Sequence, residues 1–340
     1  MRTTGRAMII AIALFFAFST PWAAAQDKKI ELRIGHANAP LDDSMLHVAS
    51  IKFKENVEKI SGGRIQTKVF PSAQLGSDAE MVNLTMTGAL DVFSTSLNLI
   101  TNYSQRLDAL ILPYMFPEPE NFRKAIRGLW GDFNEYLTKK ANMRLIAIYD
   151  SGYRHIMSLT PIRTLEEVRK IKFRVPPSPI MIETHKAWGI NPVQIPWGEL
   201  FNAMQLRVVD AFECDDSVLI SARYNEVVKY ITNNDYMLQT SVLVMSEATY
   251  NKLPPDLQKI VDQASQETQK NMLAKSQELV QHCLDVSVKK GVKVLGKPTD
   301  YENWVKLARA TWPKFYQRVG DGDANVGKQM VDKIFEASKR

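Results

Sequence analysis

Beyond residue 26 the chain switches repeatedly between two hydrophobic periods. Ile30, Leu32 and Ile34 alternate with polar neighbours and predict a first strand ending at Gly35-His36. After the loop Ala37 to Asp43, the residues Leu46, Ala49, Phe53, Val57 and Ile60 fall on one helical stripe that stops at Gly62-Gly63. Ile65, Thr67 and Val69 alternate again before Pro71. A strand, a helix and a strand in this order form a βαβ unit, which implies parallel pairing and helices on both faces of a sheet.

The alternation continues. It predicts a helix over 78–87, a strand at Leu90 to Phe93, an irregular Pro-rich stretch from Pro113 to Pro119 and a buried strand at Leu145 to Tyr149. Thr164 with Glu167 forms a capping box for a short helix, and Lys172 to Val175 reads as a strand stopped by Pro176-Pro177. Helices ending at Gly189 and running from about Gly198 to Leu206 follow, then a strand from Val208-Val209 into Asp210-Ala211-Phe212-Glu213. From Pro254 to Lys290 there is no Gly or Pro after Pro255, and Leu257, Ile260, Val261 and Ala264 open an apolar stripe. At ~1.5 Å per residue such a helix runs to ~50 Å, longer than one lobe is wide, so it breaks or bridges two lobes. No fixed-period repeat or low-complexity linker appears, so in a two-lobed protein the chain crosses between lobes more than once.

The N-terminus changes where this fold is used. Arg2 and Arg6 precede the apolar run Met8 to Phe18, and Ala23-Ala24-Ala25 supplies a small-residue cleavage site, so residues 1–25 read as a signal peptide for export to the periplasm. The run is shorter than the ~20 residues of a spanning helix. Removing Arg2 and Arg6 takes the formal charge from +6 to +4, and no Lys/Arg run is dense enough for a nucleic-acid footprint. Cys214 and Cys283 are the only cysteines and are expected as two free, buried thiols. Neither has neighbours at zinc spacing, so no metal and no cofactor are expected.

Five fragments carry a family resemblance. They are Arg64-Ile65 through Pro71-Ser72-Ala73-Gln74-Leu75-Gly76, Phe173-Arg174-Val175-Pro176, Ile195-Pro196-Trp197-Gly198-Glu199-Leu200-Phe201, Val208-Val209-Asp210, and Ser246-Glu247-Ala248-Thr249-Tyr250 with Leu253-Pro254-Pro255-Asp256-Leu257-Gln258. In order and spacing the chain resembles the periplasmic solute-binding proteins of tripartite ATP-independent periplasmic (TRAP) transporters. The resemblance implies a two-lobed α/β periplasmic-binding-protein fold with a ligand cleft between the lobes and a long C-terminal helix bridging both. It places lobe I at 27–151 plus 240–279 and lobe II at 152–239 plus 280–340. It also implies a monomer that closes about a hinge on a small organic acid and delivers it to TRAP membrane subunits.

On that resemblance Arg174 makes a two-pronged salt bridge to the ligand carboxylate, a role that the planar, permanently charged guanidinium fork suits. Arg154, in Gly152-Tyr153-Arg154-His155, falls where relatives carry a second cleft arginine, with an ordinary hinge ion pair as the competing reading. Trp197 occupies the place of an aromatic pocket wall. The segment Asp210-Ala211-Phe212-Glu213-Cys214-Asp215-Asp216 departs from the family's usual Asp-Gly-Gln-Glu-Asn-Pro. Cys214 stands where an Asn helps hold the carboxylate, and a thiol is a poor donor. Phe212, Glu213, Cys214 and Asp215 are therefore candidates for altered recognition. Asp215 and Asp216 either meet a ligand amine or cap the next helix. Asn38, Ser96 and Asn98 lie on loops after first-lobe strands, where such clefts are lined. Aromatic carboxylates, amino acids and hydrophobic keto acids all stay open as ligands.

Two rival functions are weighed against this one. A secreted hydrolase would need an elbow or zinc helix that the chain lacks, so no enzyme activity is expected. A sensory role, with the closed lobes docking on a receptor, uses the same fold and ligand chemistry.

Overall fold

A computed structural model describes residues 29–339; the signal peptide expected at 1–25 lies outside the described residues. In chain order the first sheet takes β1 (Ile30–Gly35), β2 (Ile65–Phe70), β3 (Val92–Ser96) and β4 (Met143–Tyr153). The chain then crosses to a second sheet through β5 (His155–Ser158), β6 (Phe173–Val175), β7 (Val193–Gln194), β8 (Ala211–Cys214) and β9 (Tyr230–Thr232). It returns with β10 (Leu238–Ser246) and crosses again to β11 (Lys293–Val294). The spatial orders are β2-β1-β3-β10-β4 and β11-β9-β5-β8-β6-β7. This is the expected two-lobed α/β architecture.

The opening βαβ unit forms as the pattern predicts. β1 pairs in parallel with β2, Ile30 opposite Ile65 and Gly35 opposite Phe70, and with β3. The helix Met45–Ile60 between them buries Ala49, Phe53 and Val57 on the sheet. The second strand pair differs from expectation: β10 runs antiparallel to both β3 and β4. β10 is buried along its whole length, and its polar Gln239, Thr240 and Ser241 break the apolar run that marks such a strand. A helix over Pro119–Ala141, unpredicted because Gly128 and Gly131 interrupt it, buries Phe122, Ala125, Ile126, Leu129 and Phe133 against β4.

Two strand boundaries also shift. The strand expected at Leu90 to Phe93 begins at Val92, and that expected from Val208 begins at Ala211. Arg207 takes a left-handed backbone with φ of 55° and Val208 is 52% exposed, so this turn delays the strand.

The long helix Pro255–Lys289 has 35 residues and bridges the lobes. Its first half clamps the free edge of β4: Gln269 Nε2 donates to Ile148 O and its Oε1 accepts from Ile148 N, both at 2.7 Å. Its second half reaches the second lobe, where Leu284 joins the core around Phe212. Beyond it, Trp304 packs on Trp188 with ring centroids 4.8 Å apart.

The expected second lobe extended to residue 340, and here the fold requires a correction. Helices Pro313–Val319 and Ala324–Lys339 turn back onto the first lobe, on Gln105–Ile111 and Pro119–Ala141. Asn121 Nδ2 donates to Ser338 O at 3.0 Å, Tyr136 OH to Asp321 Oδ1 at 2.6 Å, and Arg318 pairs with buried Asp108. Amphipathic faces dictate this, because Val331 and Ile334 have their apolar partners on the first lobe. Gly327 makes the return possible, since a Cβ there would lie 1.7 Å from Tyr316 O. Gly327→Ala should undock the final helix, losing several kcal/mol by the backbone clash. Faster amide exchange across 119–141 as well as 324–339 checks this, and unchanged protection in 119–141 refutes it.

Candidate functional site

The two lobes meet where β4 passes into β5 and β9 passes into β10. Arg154 sits in the first crossing, with its backbone N–H donating to Met237 O of the second at 2.8 Å. Its side chain turns inward and is 3% exposed. Nε pairs with Glu213 Oε2, NH2 donates to Glu213 O at 2.6 Å, and NH1 donates to Gln239 Oε1. Burial works against the Arg154 charge, but Glu213 outweighs it and holds the guanidinium above its ordinary range. Of the two readings of Arg154, the hinge ion pair is what the geometry displays. Glu213, expected to face a ligand, is instead fully buried in that pair.

Arg174 behaves differently. β6 pairs with β8 on one side and β7 on the other, Arg174 opposite Phe212 and Val193, so its backbone is fixed in the sheet. The side chain is 2% exposed, and Nε donates to Ile195 O at 2.9 Å. Its two terminal nitrogens have no partner among the described residues. Burial, with Arg154 nearby, lowers this guanidinium to about 10 despite the attraction of Glu213. It therefore stays charged at neutral pH, a buried cation whose fork is unused. Trp197, at the start of helix Trp197–Gln205, is half-buried with its ring 6.0 Å from the Arg174 guanidinium carbon and 5.4 Å from the Tyr224 ring.

The remaining candidates divide. Phe212 points into the second-lobe core, 4.6 Å from the Tyr224 ring and fully buried, because β8 turns alternate side chains to opposite faces. This corrects its expected place in the cleft. Cys214 is a buried free thiol that points at Asp215 Oδ2 from 3.7 Å, and burial pushes it up. Cys283 is buried and free as well. Asp215 Oδ1 accepts from Ser217 N at 3.1 Å and from the Ser217 hydroxyl, just ahead of the short helix Val218–Ser221. Asp216 meets His155 Nδ1 at 3.1 Å. On the first lobe Asn38 is half-buried with a side chain that has no hydrogen bond among the described residues. Ser96 Oγ donates to Asn98 Oδ1 at 2.5 Å and accepts from Gln239 Nε2 at 3.0 Å.

Sequence reasoning passed over the hinge groups Gln239, Asp235 and His155. His155 Nε2 faces Asp235 Oδ1 at 3.1 Å, and Lys297 lies 3.7 Å from the same carboxylate. Burial alone would discharge His155, yet Asp216 and Asp235 lift it to about 10. The signal available was its position directly after Arg154, at the end of a strand that leaves the lobe.

No helix among the described residues is long and apolar enough to cross a membrane. The family model for bacterial extracellular solute-binding protein, family 7, matches residues 34–318. A 2,3-diketo-L-gulonate-binding periplasmic protein of Escherichia coli K12 is 26% identical over 288 residues, covering 84% of this chain and 85% of that one. A TRAP periplasmic solute binding protein from Rhodobacter sphaeroides, solved in an apo open state, aligns with a TM-score of 0.77 at 31% identity, over 91% of this chain and 100% of that one. Another from Roseobacter denitrificans, with bound L-galactonate, aligns at 0.78 and 25% identity over 84% and 94%. With the family model spanning both lobes and their hinge, this chain belongs to the family-7 extracellular solute-binding proteins, the solute-binding components of TRAP transporters.

Proposed function

We propose that this protein captures a small organic carboxylate between its lobes in the periplasm and hands it, as a monomer, to TRAP membrane subunits. The observation that carries the reading is the unpartnered fork of Arg174: a buried guanidinium with two free nitrogens is the complement of a carboxylate. Trp197 flanks that fork and offers the rest of the ligand a flat apolar surface. Relatives that bind 2,3-diketo-L-gulonate and L-galactonate support an acid as the ligand.

The protein works by binding and release, without turnover. Its buried Cys214 is held as a thiol, and His155 is locked between two carboxylates, so neither is placed to act as nucleophile or base. Closure rotates the lobes about the crossings at Arg154 and Asn233–Met237 and presents the closed surface to the transporter.

A thermal-shift screen of residues 26–340 against sugar acids, oxo acids, amino acids and aromatic acids tests this. A ligand that binds only the folded state at a hundred times its Kd adds about 2.7 kcal/mol of stability. A shift with one acid class is expected. Absence of any shift, together with no acid released from the denatured protein in mass spectrometry, refutes the carboxylate reading.

A further inference from the structure

The polar groups beneath the cleft form one continuous chain from lobe to lobe, Glu213, Arg154, Gln239, Ser96 and Asn98. Its direction is set at one end. A guanidinium has five N–H donors and no acceptor, so the Gln239 atom facing Arg154 must be its carbonyl oxygen. That turns Gln239 Nε2 toward Ser96 Oγ, 3.0 Å away. The Ser96 hydroxyl, accepting from that amide, has its single proton to donate; of the two acceptors in reach, Asn98 Oδ1 at 2.5 Å and Thr240 O at 3.5 Å, the nearer takes it. What remains is the Asn98 amide nitrogen. It has no partner among the described residues, and it is not among the polar atoms sealed from solvent.

The location of Asn98 gives this free donor a use. It lies on the short helix Leu97–Ile100, and Asn102 of the same segment donates to Pro177 O at 3.1 Å, three residues beyond Arg174. Two unpartnered donor groups, the Arg174 fork and the Asn98 amide, thus lie on the two lobes within three and four residues of one inter-lobe contact.

We infer that Arg154 is a positioning residue: through Gln239 and Ser96 it fixes the Asn98 amide with its N–H groups toward the cleft, and so selects acids that carry a second hydrogen-bond acceptor. The inference rests on the carboxylate reading of Arg174. An oxo or hydroxyl oxygen opposite Asn98 satisfies the donor. An ammonium or a methyl there leaves it unpaired in a dry site, which weakens binding roughly tenfold.

Calorimetric titration of residues 26–340 with the monooxohexanoates and the matching aminohexanoates tests the relay. The best-bound oxo acid should exceed its amino counterpart at least about tenfold. Ser96→Ala, which changes no charge, cuts the relay and frees the Asn98 amide to turn over, so the preference should collapse to within about threefold. Gln239→Glu leaves no proton to give Ser96; the hydroxyl then donates to the introduced carboxylate, accepts from Asn98 and reverses the preference, while Arg154 gains a second anionic partner and the fold is retained. A preference that survives Ser96→Ala overturns the inference, as does equal binding of both series or absence of binding by every oxo acid. If Arg174→Met still abolishes binding of the acid found by the wider screen, the carboxylate reading stands without the relay. If no acid of that screen binds at all, both fall.

Discussion

Arg174→Ala should cripple acid binding, with affinity falling at least about a hundredfold in titration calorimetry. Two charge-assisted hydrogen bonds to one carboxylate are lost, each contributing roughly 1.5–3 kcal/mol, and about 2.7 kcal/mol already equals two decades in Kd. The same change should leave the fold intact. Burial lowers this guanidinium to about 10, below its ordinary value, so the folded state disfavours the charged form that prevails at neutral pH. The bond from Nε to Ile195 O and the attraction of Glu213 are given up in exchange. Lysine in its place keeps a charge and loses the fork, so Arg174→Lys should also bind weakly. Binding within threefold of wild type in Arg174→Ala would falsify the clamp.

His155→Ala should loosen the hinge, destabilising the protein by roughly 3–5 kcal/mol in urea unfolding. Asp216 is buried and Asp235 largely so, and both lose the cation that faces them. The pH dependence has a definite sign. The folded-state pKa is raised to about 10 from the ordinary 6.5, so the stabilisation is complete below about 6.5 and disappears as pH climbs toward 10. Lys297 lies beside Asp235 as a second partner and preserves part of the cluster. Wild type should therefore lose stability between pH 7 and 10 more steeply than His155→Gln. Parallel profiles for the two would show that the imidazolium does not hold the hinge.

Much of the fold was legible wherever a hydrophobic period ran unbroken between stop signals. β1, the helix Met45–Ile60 and β2 read directly, and the 35-residue helix was visible as a stretch without Gly or Pro. Reading failed where tertiary contacts override local pattern. β10 carries Gln239, Thr240 and Ser241 in a buried strand because the relay and neighbouring strands satisfy them. At the site, Arg174 could be chosen from its motif. Arg154 could not be separated from a ligand arginine, because its partner Glu213 lies 59 positions away in sequence and Gln239 lies 85 away. Phe212 counted among the recognition candidates for a similar reason: a sequence gives the alternation along β8 but not which face is the cleft.

The return of the C-terminal helices to the first lobe bears on how the molecule is assembled. Asn121 and Ser338 are bonded across 217 positions, and Asp108 and Arg318 across 210. A chain emerging N-terminus first thus cannot complete its first lobe until almost the last residue has appeared. Both lobes mature together and late, and contacts this distant in sequence slow folding.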